Sequence, residues 1–242
     1  MKFNDIFLGN VHCSNNSEWT GGDTEEQYLD NVKIQPNNWY YKDRTINYSF
    51  NKHGHRCNDI TDIDLSNYIL VLGCSHSLGI GLELEKTFPY LIAKELRCDY
   101  YNLSISASGI DALEYNLLTW IRKVNKSPKA VVIQWPDHTR FASHFPRHEN
   151  IVEKGAWTGD ADSIELIVNA EESGFFNARK LFTVQLIKNM VKCPIVTCLF
   201  TSQPLFDPYN LYLRKIDKAR DLNHPGIESH KNWSELILRE FA

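Results

Sequence analysis

No hydrophobic run in this chain reaches the roughly eighteen residues that a membrane-crossing helix needs, so a membrane span is not expected. No basic face is visible either. The 26 Lys and Arg are spread along the chain against 30 Asp and Glu, for a formal charge of -4. Phosphate backbones are bound by concentrated positive charge, so nucleic acid is not expected as a partner. Internal repeats and low-complexity tracts are absent. The six cysteines, at positions 13, 57, 74, 98, 193 and 198, form no spaced disulfide framework. Reduced thiols and an intracellular setting are therefore expected. Met1 to Ile6 lacks the apolar core of a secretion signal, which agrees with that expectation. His53, His55 and Cys57 lie close together, but their spacing fits no standard zinc pattern, and no metal is expected.

What is present is enough apolar material for a sizeable core: 43% of 242 residues are hydrophobic and 23% are charged. The centre of the pattern is Tyr68-Ile69-Leu70-Val71-Leu72-Gly73-Cys74-Ser75. An uncharged aliphatic run bounded by Asn67 and Gly73 predicts a strand buried on both faces. From there strands and helices alternate. Strands are expected at Asp99 to Leu103, Ala130 to Trp135 and Pro194 to Phe200. Leu211 to Leu213 forms either a fifth strand or a helical turn. Helices are expected from Thr87, which caps the first, from Ser108 or Asp111, from Asp162 with a break near Ser173-Gly174, and from Ser229 to Phe241. This alternation predicts an α/β fold, a three-layer sandwich with a mainly parallel sheet.

Residues 1–65 differ. They are rich in Asn, Asp, Gly and aromatics and show little helical period. Short strands are expected at Trp39 to Tyr41 and Ile46 to Phe50. No linker precedes residue 66, so 1–65 is expected as an irregular extension packed on a main domain of 66–242, as a structural cover, a lid or a partner surface. Residues 136–160 are polar, studded with aromatics and without clear period, and a long loop is expected there.

Ser75 falls just past the C-terminal edge of a buried parallel strand, where open α/β sheets bind ligands. A serine hydroxyl needs a base to act as a nucleophile near neutral pH, and that base is most often a histidine oriented by a carboxylate. Asp221 and His224, in Asp221-Leu222-Asn223-His224-Pro225-Gly226, supply both just before the last helix. Ser75, His224 and Asp221 are the candidate catalytic residues. The alternatives are a capping hydroxyl for Ser75 and a turn residue for His224. On the same sheet edge His76 either lines a pocket or caps a helix. Arg140 either binds an anionic substrate group or pairs with Asp137. His76, Asp137 and Arg140 are the substrate-binding candidates.

Taken together, Gly73-Cys74-Ser75 at the first strand's end and Asp221-Leu222-Asn223-His224-Pro225 near the C-terminus resemble the first and last blocks of the SGNH, or GDSL-type, hydrolases. Asn102-Leu103-Ser104-Ile105-Ser106-Ala107 stands where that family has Asn-x-x-x-x-Gly. Gln134-Trp135-Pro136-Asp137 stands where it has Gly-x-Asn-Asp. The resemblance covers residues 66–242 and implies a flavodoxin-like, SGNH-type fold. It implies an oxyanion hole from the backbone amides of Ser75 and of Ala107 or Gly109. Pro136 replaces the family's Asn donor, and of its neighbours Gln134 and His138, His138 is expected as the third donor. The function implied is ester hydrolysis, with a small acyl group on a carbohydrate or other polar small molecule as substrate and no cofactor. The alternatives are acyl transfer through the same residues, or an SGNH-fold binding or structural module with weak or lost catalysis.

Overall fold

The computed structural model describes residues 7–10, 16–137, 139–145, 150–154, 161–172, 174–200 and 210–241. In the N-terminal region β1 (Asn16–Ser17) pairs antiparallel with β2 (Tyr48–Ser49). Between them lies α1 (Glu25–Ile34), a helix the sequence reading did not foresee. Its start follows a local rule: the Thr24 hydroxyl caps it by accepting from Gln27 N at 3.2 Å, with Glu25 and Glu26 in the first turn. Trp39 to Tyr41, expected as a strand, belongs instead to successive turns, closed by Trp39 N to Pro36 O and Lys42 N to Trp39 O.

The main sheet is wholly parallel. It comprises β3 (Tyr68–Leu72), β4 (Asp99–Asn102), β5 (Ala130–Trp135), β8 (Ile195–Leu199) and β9 (Asn210–Tyr212), in the order β4-β3-β5-β8-β9. Leu211 thus belongs to a fifth strand. Every residue of β3 and β5 is buried, as uncharged runs covered on both faces require. Side-chain alternation divides the core. Leu70, Leu72, Val131 and Ile133 pack under α4 (Ile110–Val124) and α6 (Phe175–Met190). Ile69, Val71, Ala130 and Val132 pack under α3 (Phe88–Glu95) and α7 (Ile227–Arg239). Helices therefore cover both faces, and the fold is the expected three-layer α/β sandwich.

Two further expectations need correction. Residues 136–160 are not one open loop: β6 (Phe141–Phe145) and β7 (Asn150–Lys154) form an antiparallel hairpin within them. The pairing is local, from Phe145 with Asn150 to Phe141 with Lys154, but neither strand shows a strict apolar-polar alternation, so the sequence carries little strand signal there. Thr87 is the N-cap of α3 by position, but its hydroxyl donates back to Leu84 O at 2.7 Å. The first amide of α3, Phe88 N, donates instead to Nδ1 of His230 on α7. The helical break near residue 173 is present: α5 (Ala161–Glu172) and α6 are separated at Gly174, whose φ is +69°. Among the described residues no helix is long and apolar enough to cross a membrane.

Candidate active site

Chain direction across the sheet reverses between β3 and β5, which makes their C-terminal ends the crevice of this fold. β3 ends there in Gly73, Cys74 and the four-residue helix α2 (Ser75–Leu78), with Ser75 as its first residue. Gly73 is needed at the turn because the Ser77 hydroxyl packs on it; a Cβ would lie 2.2 Å from Ser77 Oγ. Gln134 at the end of β5 secures the same turn. Its Oε1 accepts from Ser77 Oγ at 3.2 Å and Cys74 N at 3.5 Å, while Nε2 donates to Trp135 O at 2.5 Å. Gln134 is thus committed to holding the turn, not open to a substrate.

Asp221 and His224 sit in the loop before α7. His224 Nδ1 is 2.5 Å from Asp221 Oδ2, and Asp221 Oδ1 accepts the His224 and Asn223 backbone amides at 3.0 and 3.2 Å. One carboxylate therefore shapes the loop and orients the ring. Asp221 is buried and the His224 side chain is 18% exposed. The His224 ring lies 5.6 Å, centroid to centroid, from that of His76, the residue after Ser75. Ser75 itself is 6% exposed. Among the described residues no hydrogen bond joins Ser75 to His224; bonds between catalytic groups in general are often long without substrate and tighten only when it is bound.

His76 packs on Phe200 with ring centroids 3.9 Å apart. Burial first, and then the charges of His224, Arg140, His230 and Lys215, push its imidazole well below the ordinary histidine range. His76 is therefore a neutral wall beside the candidate nucleophile, and it does not cap a helix from solvent. Asp137 is exposed, and its Oδ1 accepts from Thr139 N and Oγ1 at 2.9 and 2.8 Å, which closes a turn into Arg140. The Arg140 carbonyl packs over Gly109, where a Cβ would stand 2.5 Å from its oxygen. The β5–β6 connection and the N-terminal end of α4 are thereby in backbone contact. Ala107 has φ +61°, the left-handed backbone that glycine adopts without strain, at the position where the resembled family carries Gly. Pro136 is buried. His138 lies outside the described residues.

Sequence reasoning missed Gly22. A Cβ on it would meet Ile80 Cδ1 at 3.1 Å and His224 Cε1 at 3.3 Å, so the Thr20–Asp23 turn forms a wall against the His224 ring. Gly21-Gly22 was the only local signal of that tight turn. The His55 and Cys57 pair has structural work: His55 bonds Leu8 O at 2.9 Å and Tyr101 Oη at 3.1 Å, and Cys57 Sγ accepts from Asn102 N at 3.4 Å. Among the described residues no His, Cys, Asp and Glu group is arranged to hold a metal.

No protein-family model matches the chain, and no curated protein matches it. Solved structures to which it is similar are SGNH/GDSL-like hydrolases. One is a carbohydrate esterase family 2 enzyme with its carbohydrate-binding domain from Corynascus thermopiles (Myceliophthora fergusii), at 14% identity and TM-score 0.46, covering 72% of this chain and 64% of that one. A second is an acetyl xylan esterase from the rumen bacterium Butyrivibrio proteoclasticus, at 11% identity and TM-score 0.45, covering 72% and 63%. A third is TesA, at 15% identity and TM-score 0.47, covering 72% and 97%. The chain spans less than two thirds of the first two. At these identities the likeness is one of architecture.

Proposed function

We propose that this protein is a serine hydrolase that cleaves an ester, with a small acyl group on a carbohydrate or other polar molecule as its substrate. The observation that supports this most is the His224–Asp221 bond of 2.5 Å on a loop whose histidine ring stands beside His76, next to Ser75. Ser75 Oγ attacks the acyl carbon. His224 takes the Ser75 proton through Nε2 and returns it to the leaving alcohol. Asp221 holds the Nδ1–H tautomer and stabilises the imidazolium. A water, activated by the same His224, then releases the acyl group from Ser75. The oxyanion is received by the amides of Ser75 and of Ala107 or Gly109, with His138 as a third donor in place of the side chain that Pro136 lacks. His76, Asp137 and Arg140 border the substrate, and Arg140 suits an anionic group on it.

A second reading, a binding module of this fold, is favoured by the buried Pro136, which brings neither a side-chain donor nor an N–H to the third block. Treatment with a fluorophosphonate probe, followed by peptide mapping, separates the two. Label on Ser75, lost in Ser75→Ala together with turnover of a small aryl acetate, is the expected result. A folded protein that takes no label and turns over no ester is a module.

A further inference from the structure

The loop that carries Asp221 and His224 does not hold its shape unaided. Leu222, between them, has φ +60°, a left-handed conformation costly for a bulky side chain that persists only where surrounding contacts over-determine it. Those contacts come from the other end of the chain. Arg220, 1% exposed, is paired with Asp23, 0% exposed, 197 residues away. Arg220 Nε donates to Asp23 Oδ1 and Oδ2 at 3.2 and 3.0 Å, and Nη2 donates to Oδ2 at 2.8 Å. Nη2 also reaches Glu18 O at 2.6 Å, and the guanidinium lies 4.2 Å over the Trp19 ring. The two carbonyls flanking this point are held from α1: Asn31 Nδ2 donates to Arg220 O at 3.0 Å and Gln27 Nε2 to Asp221 O at 2.9 Å.

Asp23 also reaches the segment that follows the Ser75 helix. Tyr48 Oη donates to Asp23 Oδ2 at 2.5 Å and accepts from Gly81 N at 2.7 Å. Gly81 O in turn accepts from Arg220 N at 3.2 Å. A Cβ on Gly81 would stand 2.6 Å from Ala219 Cβ and 3.2 Å from Asp221 Oδ1, so the two segments meet without room between them. The segment that leaves Ser75 and the loop that carries its base are therefore tied to one buried carboxylate.

We infer that Asp23 is a positioning residue for the Asp221–His224 pair, acting through its fork with Arg220 and assisted by Gln27 of α1; this rests on the hydrolase reading above. A buried ion pair is poor at adding stability, because desolvation offsets most of the attraction, but its fixed geometry specifies an arrangement. The Thr20–Asp23 turn does two things at once: Asp23 holds the Arg220 side chain, four residues before His224, and Gly22 leaves the ring its space. The N-terminal region thereby becomes a working part of the site.

The test uses the full chain with Asp23→Asn and Gln27→Ala, and Lys33→Ala on the exposed side of α1 as a control. Two readouts are taken: kcat and KM on a small aryl acetate, and the downfield proton NMR resonance of the His224–Asp221 bond, which needs no catalysis. Expected are a shift or broadening of that resonance in both variants, an unchanged resonance in the control, and a fall in kcat at nearly constant KM. A misplacement of about 1 Å costs about 10²-fold. Should Asp23→Asn not fold, Arg220→Lys, which keeps the charge and loses the fork on Asp23, takes its place with the same two readouts. Folded variants with an unmoved resonance and wild-type kcat overturn the inference. A wild type with no label and no turnover, but a resonance that responds to both substitutions, overturns the hydrolase reading and leaves the positioning role standing.

Discussion

His224 meets Asp221 through Nδ1 at 2.5 Å, while the other oxygen of the same carboxylate accepts the His224 backbone amide at 3.0 Å. Ring orientation and loop shape thus depend on two different oxygens, and a substitution can separate them. Asp221→Asn retains Oδ1 for the loop and loses the acceptor that selects the Nδ1–H tautomer. The expected result is a folded protein with turnover lowered by about 10⁴. Circular dichroism and aryl acetate kinetics check it; full activity would mean that Asp221 does not orient His224.

Gln134 serves the turn rather than the substrate. In Gln134→Leu the Cys74 amide and the Ser77 hydroxyl lose their shared acceptor inside the protein. An unsatisfied buried donor costs about 1–3 kcal/mol. Urea unfolding should show an unfolding free energy lower by that amount, and a variant as stable as the wild type would contradict the assignment.

Ala107 gives the opposite sign. A left-handed L-residue costs about 1–2 kcal/mol, and glycine returns about half of that as chain entropy. Ala107→Gly is expected to stabilise the fold by about 0.5–1 kcal/mol, read from the same urea titrations. Destabilisation would show that the backbone there is not strained.

Besides His76, two buried histidines contribute to the acid side of the stability profile. Burial holds His55 down to about 4 and, with Arg56 and His224 adding to it, His230 to about 3, against an ordinary 6.5. Between those values and 6.5 the unfolded chain binds more protons than the folded one, so stability rises with pH in that window. Their contribution is fully present above about pH 6.5 and is lost as pH falls; at about pH 5 each costs about 2 kcal/mol. Urea midpoints at about pH 7.5 and about pH 5 measure it. His230→Ala and His55→Ala, compared by the same difference, should each flatten the profile. Equal pH dependence in the variants would refute the attribution.

Legibility followed the range of the interactions. β3 and β5 were evident because a strand covered on both faces has to be a continuous apolar run, and Tyr68 to Leu72 and Ala130 to Trp135 are such runs. α1 was hidden because its apolar residues make no stripe: Leu29 and Ile34 are exposed, and its buried contact is the polar Asn31. The capping pattern Thr24-Glu25-Glu26-Gln27 was its only clear local mark. Of the candidate site, Asp221 and His224 were legible because their bond spans three residues.

By itself, then, the sequence determined the alternation of strands and helices and the parallel sheet that alternation requires, and it offered Ser75, Asp221 and His224 as candidates for its edge. These follow from periods and spacings within a few residues. Tertiary structure alone decided that Asp23 grips Arg220, that Gly22 stands against His224, and that Gln134 is spent on the turn before Ser75. Each of those contacts joins segments brought together by the crossing of the chain. Their partners are chosen by the geometry at the sheet edge, and no local pattern in the sequence encodes it.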